Sequence, residues 1–237
     1  MRFLISAGVI AALCLMYVVL HRQFYPGIAR EHARVGNYVQ YIHWTIFGGV
    51  ARGLLQLSCL LLGLGGLQRD RRQNTAGFTL ALPVSRFRLV ASRAVVGLVQ
   101  IFALAAIPSL VLPVASHLAG QQLPLGYAIR FVPLWFAGGC FTFAIAFVAS
   151  VLFASEYVSL AVAYTTYIFY LAAARNPALR HVPLHVADFM SGMFPGYLDR
   201  GTMLWAGSYA LLPIAGFVAA GVALFLVSSL VVRGQDL

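Results

Sequence analysis

Residues 131–153, FVPLWFAGGCFTFAIAFVASVLF, carry no charged side chain. A helix needs about 20 apolar residues to cross the ~30 Å hydrocarbon core of a bilayer, and this run supplies them. Five more stretches approach or exceed that length, so that the sequence predicts spans at about 3–20, 42–67, 89–114, 131–153, 156–174 and 208–232, the second starting at 42 or earlier. Inside hydrocarbon every backbone N–H and C=O must be satisfied without water, which leaves helices and closed barrels. Continuous apolar runs select the helix. The expectation is an all-α polytopic membrane protein, one transmembrane domain over residues 1–237.

Composition excludes the soluble alternative. The chain is 61% hydrophobic and 9% charged, too little polar surface to cover a water-soluble domain. Its formal charge is +10, and all sixteen basic residues are arginine. These charges sit between apolar runs and form no groove-sized patch, which fits anionic lipid headgroups and topology rather than nucleic acid. The lack of lysine is compatible with a GC-rich bacterial gene. Cys14, Cys59 and Cys140 fall inside apolar runs, with neither a disulfide nor a zinc spacing, and read as small buried hydrophobes. Residues 3–20 exceed a typical signal-peptide core and lack a small-x-small cleavage site, so they read as a retained first span.

Orientation follows from arginines in the connections. Residues 68–93 hold Arg69, Arg71, Arg72, Arg86, Arg88 and Arg93, the densest group in the chain. Placing this loop in the cytoplasm puts both termini there, in a bacterial inner (plasma) membrane, with 21–41, 115–130 and 175–207 outside. All six histidines then lie outside or near the outer interface. His181 and His185 have the four-residue spacing of two helical metal ligands, but Pro183 separates them and no carboxylate or cysteine completes a site. No metal site is predicted. The proline-containing loop 175–207 is semi-apolar, and short helices lying on or dipping into the outer leaflet are expected there.

Few polar residues lie within the spans. Gly49, Arg52, Gln56, Cys59 and Gly63 advance by three or four and share a small or polar face of the second span. Such a face suits a helix interface or a pathway. Arg52 either snorkels to the outer headgroups or faces a polar cavity, since a lone charge in hydrocarbon costs several kcal/mol. The fourth span has a small-residue stripe at Gly138, Thr142, Ala146 and Ser150. The fifth has the hydroxyls of Tyr164, Thr165, Thr166, Tyr167 and Tyr170, several of which are expected to bond within the bundle. Arg52, Gln56, Tyr164, Thr165, Thr166 and Tyr167 are the candidate pathway residues. Pro108 and Pro113 are expected to kink or break the outer part of the third span. Nucleophile elbows, zinc-protease signatures and phosphate-binding loops are missing from the sequence, so no catalytic residue is predicted.

The remaining feature is the charged interruption RDRRQNTAGFTLALPVSR, residues 69–86. If 72–82 is helical, Phe78 and Leu82 share one face and Arg72, Thr75 and Thr79 another, the pattern of an interfacial amphipathic helix. Pro83 ends it, and Ser85 can cap the next helix. On its chemistry alone the loop is equally a positive-inside segment with no further role. Asp70, then three residues, Asn74-Thr75, seven residues and Pro83-Val84-Ser85-Arg86 resembles the loop between the second and third spans of type-2 ABC exporter permeases. That family commonly has Glu-x-x-x-Gly-Thr, seven residues, then Pro-hydrophobic-Ser-Arg. Asp70 and Asn74 depart from the usual glutamate and glycine. The N-terminus differs too, since the family often begins with an interfacial helix and this chain enters the membrane at once.

The resemblance implies a permease that pairs with a second copy or a paralogue and works with a dimer of separate ABC ATPase subunits, which bind ATP and Mg. It performs no chemistry itself and needs no cofactor in this chain. Asp70, Arg71 and Arg72 would contact the ATPase, with Asn74 near the helix start and Thr75, Phe78, Pro83, Ser85 and Arg86 in the segment that transmits its movement. Ser155 and Glu156, in the short turn after the fourth span, would form a second contact. The cargo expected from a bundle with few internal charges is amphipathic, lipid- or peptide-like. The alternatives are a polytopic assembly or accessory protein without transport and an intramembrane enzyme.

Overall fold

The computed structural model describes residues 1–31, 35–64, 86–153, 155–174, 176, 185–193 and 211–234. Among them there is no strand, and six helical segments are long and apolar enough to cross a membrane: Arg2–Val19, Tyr38–Gly63, Ala91–Leu118, Leu125–Leu152, Glu156–Ala174 and Leu211–Val231. The expected all-α polytopic class is the one observed.

In chain order the helices are α1 (Arg2–Val19), α2 (His21–Glu31), α3 (Tyr38–Ile42), a π-helical turn (His43–Phe47), α4 (Val50–Gly63), α5 (Arg86–Leu118), α6 (Leu125–Ile129), α7 (Phe131–Leu152), α8 (Glu156–Ala174), α9 (Val186–Met190) and α10 (Leu211–Gly234). The second span starts earlier than the apolar run because a capping box opens it. Asn37 Oδ1 accepts from Gln40 N at 2.9 Å, and Gln40 Oε1 accepts from Asn37 N at 3.1 Å, which satisfies two otherwise orphaned donors. Five residues on, the ladder slips by one position, with Gly48 N donating to His43 O at 2.7 Å. A Cβ at Gly49 would collide with the carbonyl oxygens of Thr45 and Trp44, so glycine is required where the π turn joins α4.

Of the kink or break expected in the third span, the break does not occur. α5 runs unbroken from Arg86 to Leu118 with Pro108 and Pro113 inside it. Each proline removes one backbone donor, but neighbouring elements hold the helix in place. Ser109 Oγ donates to Ala128 O at 2.8 Å, and Ser116 Oγ lies 2.8 Å from the Tyr38 hydroxyl.

α7 is the hub, buried along most of its length, with α4, α5, α8, α9 and α10 all packed on it. Small residues permit that crowding. A Cβ on Gly63 of α4 would stand 2.7 Å from both Ala146 Cβ and Phe143 O of α7, and one on Gly139 would stand 3.2 Å from Cys59 Sγ. On the other flank, Phe217 and Phe225 of α10 meet Phe141 and Phe147, with ring centroids 5.7 and 6.0 Å apart. The small faces predicted for spans two and four are thus helix contacts. Close backbone approach is how apolar helices gain packing where lipid offers no hydrophobic drive.

A buried segment held by side chains of α4 and α7

Of the connection between the fifth and sixth spans, residues 185–193 are described, and they pack inside the bundle. Val186, Phe189, Met190 and Ser191 are each at most 1% exposed. His185 is the N-cap residue of α9, and beyond its C-terminal end Gly192 adopts φ 70°, a left-handed conformation that glycine takes without a side-chain clash. This places Gly192 N 3.1 Å from Phe189 O and Met193 N 2.9 Å from Asp188 O.

A short buried helix leaves carbonyl groups at its C-terminal end; Ser191 N and Oγ donate to Ala187 O at 3.1 and 3.0 Å, and the long helices add further donors. Arg52 Nη1 on α4 donates to Ala187 O at 2.8 Å, and Trp135 Nε1 on α7 donates to Met190 O at 2.9 Å. Gln56 Nε2, one turn below Arg52, lies 3.4 Å from the weakly accepting Met190 Sδ. Gly138 completes the seat, since a Cβ there would stand 2.5 Å from Met190 Sδ and 3.1 Å from Val186 Cγ2. Phe189 stacks towards Phe217 of α10, with centroids 4.8 Å apart.

Counted from the observed start at Tyr38, Arg52 lies near the middle of its span, roughly 20 Å of helix from that end. Its guanidinium binds the backbone of a segment 135 positions away. Tyr167, buried on α8, lies within electrostatic reach of it, and the Tyr167 hydroxyl has no hydrogen-bond partner among the described residues. The candidate pathway set divides here. Arg52, Gln56 and Tyr167 face the interior, whereas Tyr164, Thr165 and Thr166 are exposed and turned out of the bundle. Bundle hydrogen bonds expected of the fifth-span hydroxyls do not include those three.

A second buried polar pair was not anticipated. His43, expected near the wet outer interface, is fully buried, with Nδ1 2.7 Å from the Tyr127 hydroxyl. Its ring lies among Trp44, Tyr127 and Phe131, and Nε2 has no partner among the described residues. His43 belongs to the π turn near the start of its span, which faces α6 and α7, so its ring is buried in protein. The aromatic neighbours Trp44 and Phe47 were the available signal. Of the histidine pair, His181 lies outside the described residues, while His185 Nδ1 is 3.4 Å from Asp188 Oδ2. No group of three metal-ligating side chains occurs among the described residues.

At the opposite end, Arg2 ties three helices together. Its guanidinium donates to Leu61 O at 3.1 Å near the end of α4 and pairs with Glu156 at the start of α8. The α7–α8 turn, with Ser155 exposed, thus lies at the same end as the exit of α4. Asp70, Arg71, Arg72, Asn74, Thr75, Phe78, Pro83 and Ser85 lie outside the described residues, and Arg86 is described only as the first residue of α5. Comparison with known protein families, with curated proteins and with solved structures gives no match to this chain.

Proposed function

We propose that the chain is the membrane-spanning subunit of an ATP-driven ABC exporter of the type-2 permease kind, moving an amphipathic, lipid- or peptide-like cargo across a bacterial inner membrane. One observation carries this reading: the spaced pattern Asp70, Asn74-Thr75, Pro83-Val84-Ser85-Arg86 in the most arginine-dense connection of a six-span chain. Two structural features support it. Arg2 brings the exit of α4 and the Glu156 turn to one end of the bundle, the arrangement that two contacts with one ATPase partner would need. Six spans return the C-terminus to the side of the N-terminus, and the positive-inside rule assigns that side to the cytoplasm.

In this reading the permease has no catalytic site; the partner ATPase binds ATP and Mg, and a second permease copy or a paralogue completes the pathway. The energetic task of the chain is to contact two states of its partner differently. The test is purification from native membranes with tags on the chain, followed by identification of co-purifying proteins. An ABC ATPase should be retained by the unaltered chain and lost when Asp70, Arg71 and Arg72 are changed together to alanine. Its consistent absence from the unaltered complex, or its retention by the triple variant, overturns the proposal.

A further inference from the structure

α5, α7 and α10 diverge around a cavity of about 340 Å³. Ala94 and Leu98 of α5, Cys140 and Ala144 of α7, and Gly221 and Val222 of α10 are among its walls. The surface is almost wholly apolar. Its volume equals that of about eleven waters at ~30 Å³ each, yet a water needs two to four polar partners to stay in such a site. Water is therefore disfavoured there, and hydrocarbon is the occupant that such walls suit. Val95 and Val222, also in the walls, are 58% and 52% exposed, so the cavity opens sideways onto the lipid-facing surface.

The headgroup has a counterpart. Residues 88, 91, 95 and 98 advance by three and four along α5 and share one face. Ala91, Val95 and Leu98 line the cavity, and exposed Arg88 continues the same face one turn nearer the arginine-rich end. A guanidinium below an apolar slot matches a phosphate at headgroup depth joined to a chain at hydrocarbon depth. We propose that this cavity is a binding site for an anionic phospholipid of the surrounding bilayer, one acyl chain lying between α5, α7 and α10 and its phosphate at Arg88. The site is independent of the transport reading, since it requires only that the bundle sit in a membrane.

The full-length chain in nanodiscs with a phosphatidylglycerol bearing a diazirine midway along one acyl chain provides the test. After irradiation, adducts should concentrate on cavity residues of all three helices. Unlabelled phosphatidylglycerol should compete about fivefold better than phosphatidylcholine, the preference expected from ~1 kcal/mol per arginine near the headgroups. Arg88→Gln should keep the adducts and erase the preference. Val222→Trp should abolish cavity labelling, because Val222 is a half-exposed wall residue whose enlarged side chain can lie across the slot. Ala94→Phe, on a different helix, should do the same. Adducts spread evenly over exposed residues such as Val99, Phe102 and Leu226, or labelling unchanged in both filled variants while they melt as the unaltered chain does, would overturn the site. A headgroup preference that survives Arg88→Gln would overturn the role of Arg88.

Discussion

The glycine contact between α4 and α7 permits a test in which one substitution has opposite signs at two places on the same helix. A methyl group added at Gly63 would lie 2.7 Å from Ala146 Cβ, 2.7 Å from Phe143 O and 3.1 Å from Phe147 N. The last two are backbone atoms, so no rotamer change relieves them. Restoring contacts of about 3.4 Å requires the helices to part by about 0.7 Å, enough to forfeit dispersion along much of the seam. Overpacking of this kind costs about 1–3 kcal/mol, offset by the ~0.5–1 kcal/mol that alanine gains over glycine in a helix. Ten residues earlier, Gly53 is exposed and a Cβ there meets nothing within 4 Å, so Gly53→Ala keeps the gain alone. With 2–4 °C per kcal/mol for a chain of this length, Gly63→Ala, at a net cost of about 0–2.5 kcal/mol, should melt up to roughly 10 °C lower and Gly53→Ala roughly 1–4 °C higher. The three buried free cysteines make a thiol-reactive dye in detergent a direct reporter of unfolding. If Gly63→Ala melts above the unaltered chain, the close-approach argument is wrong.

Three further outcomes are expected. Trp135→Phe removes the donor to Met190 O and should cost about 0.5–1.5 kcal/mol, with faster hydrogen exchange confined to residues 186–192 as the mass-spectrometric readout. Arg52→Leu should insert and fold but lose protection at the same residues, since Ala187 O loses a charged donor; unchanged exchange would show that the Arg52 bond does not hold the segment. Tyr127→Phe leaves His43 Nδ1 buried without its partner and should destabilise by about 1–3 kcal/mol. Combining it with His43→Phe should cost less than the two separate effects added together, because the pair is then removed as a unit.

The spans were legible because a crossing helix is a local property: length and apolarity suffice. Where α3 begins was also written locally, in Asn37 and Gln40, but their capping box precedes the apolar run and is read only when the start is sought outside it. Spacing placed Arg52, Gln56, Cys59 and Gly63 on one face correctly. It could not say what lay opposite, since Ala187 and Met190 are more than 130 positions away and the five residues of α9 are too few to carry a period. The hydroxyls of α8 show the same limit. Their density marked the helix as unusual, but which of them turn inward depends on its rotation against α7, and only Tyr167 of the set 164–167 is buried. Pro108 and Pro113 misled in the other direction, because a local rule for helix breaking was outweighed by tertiary support.

These contacts also bear on how a force at one end could be felt inside the bundle. The donors to Ala187 O and Met190 O come from α4 and α7, and those two helices are also joined at Gly63 with Ala146 and at Gly139 with Cys59. Residue 65, where the proposed coupling connection leaves, follows α4 directly after Leu64. From Gly63 to Arg52 is about 16 Å of uninterrupted helix, whereas the π turn above Gly49 is where the span changes geometry. A displacement applied near Leu64 would therefore reach Ala187 through a stiff element bonded at both ends, and would be taken up above Gly49. That account requires energetic coupling between two positions that do not touch. In a double-mutant cycle, Gly63→Ala and Arg52→Leu should deviate from additivity by more than the ~0.3–0.5 kcal/mol typical of distant sites. Strict additivity would mean that the α4–α7 seam and the buried segment respond independently, and α4 would not serve as the lever.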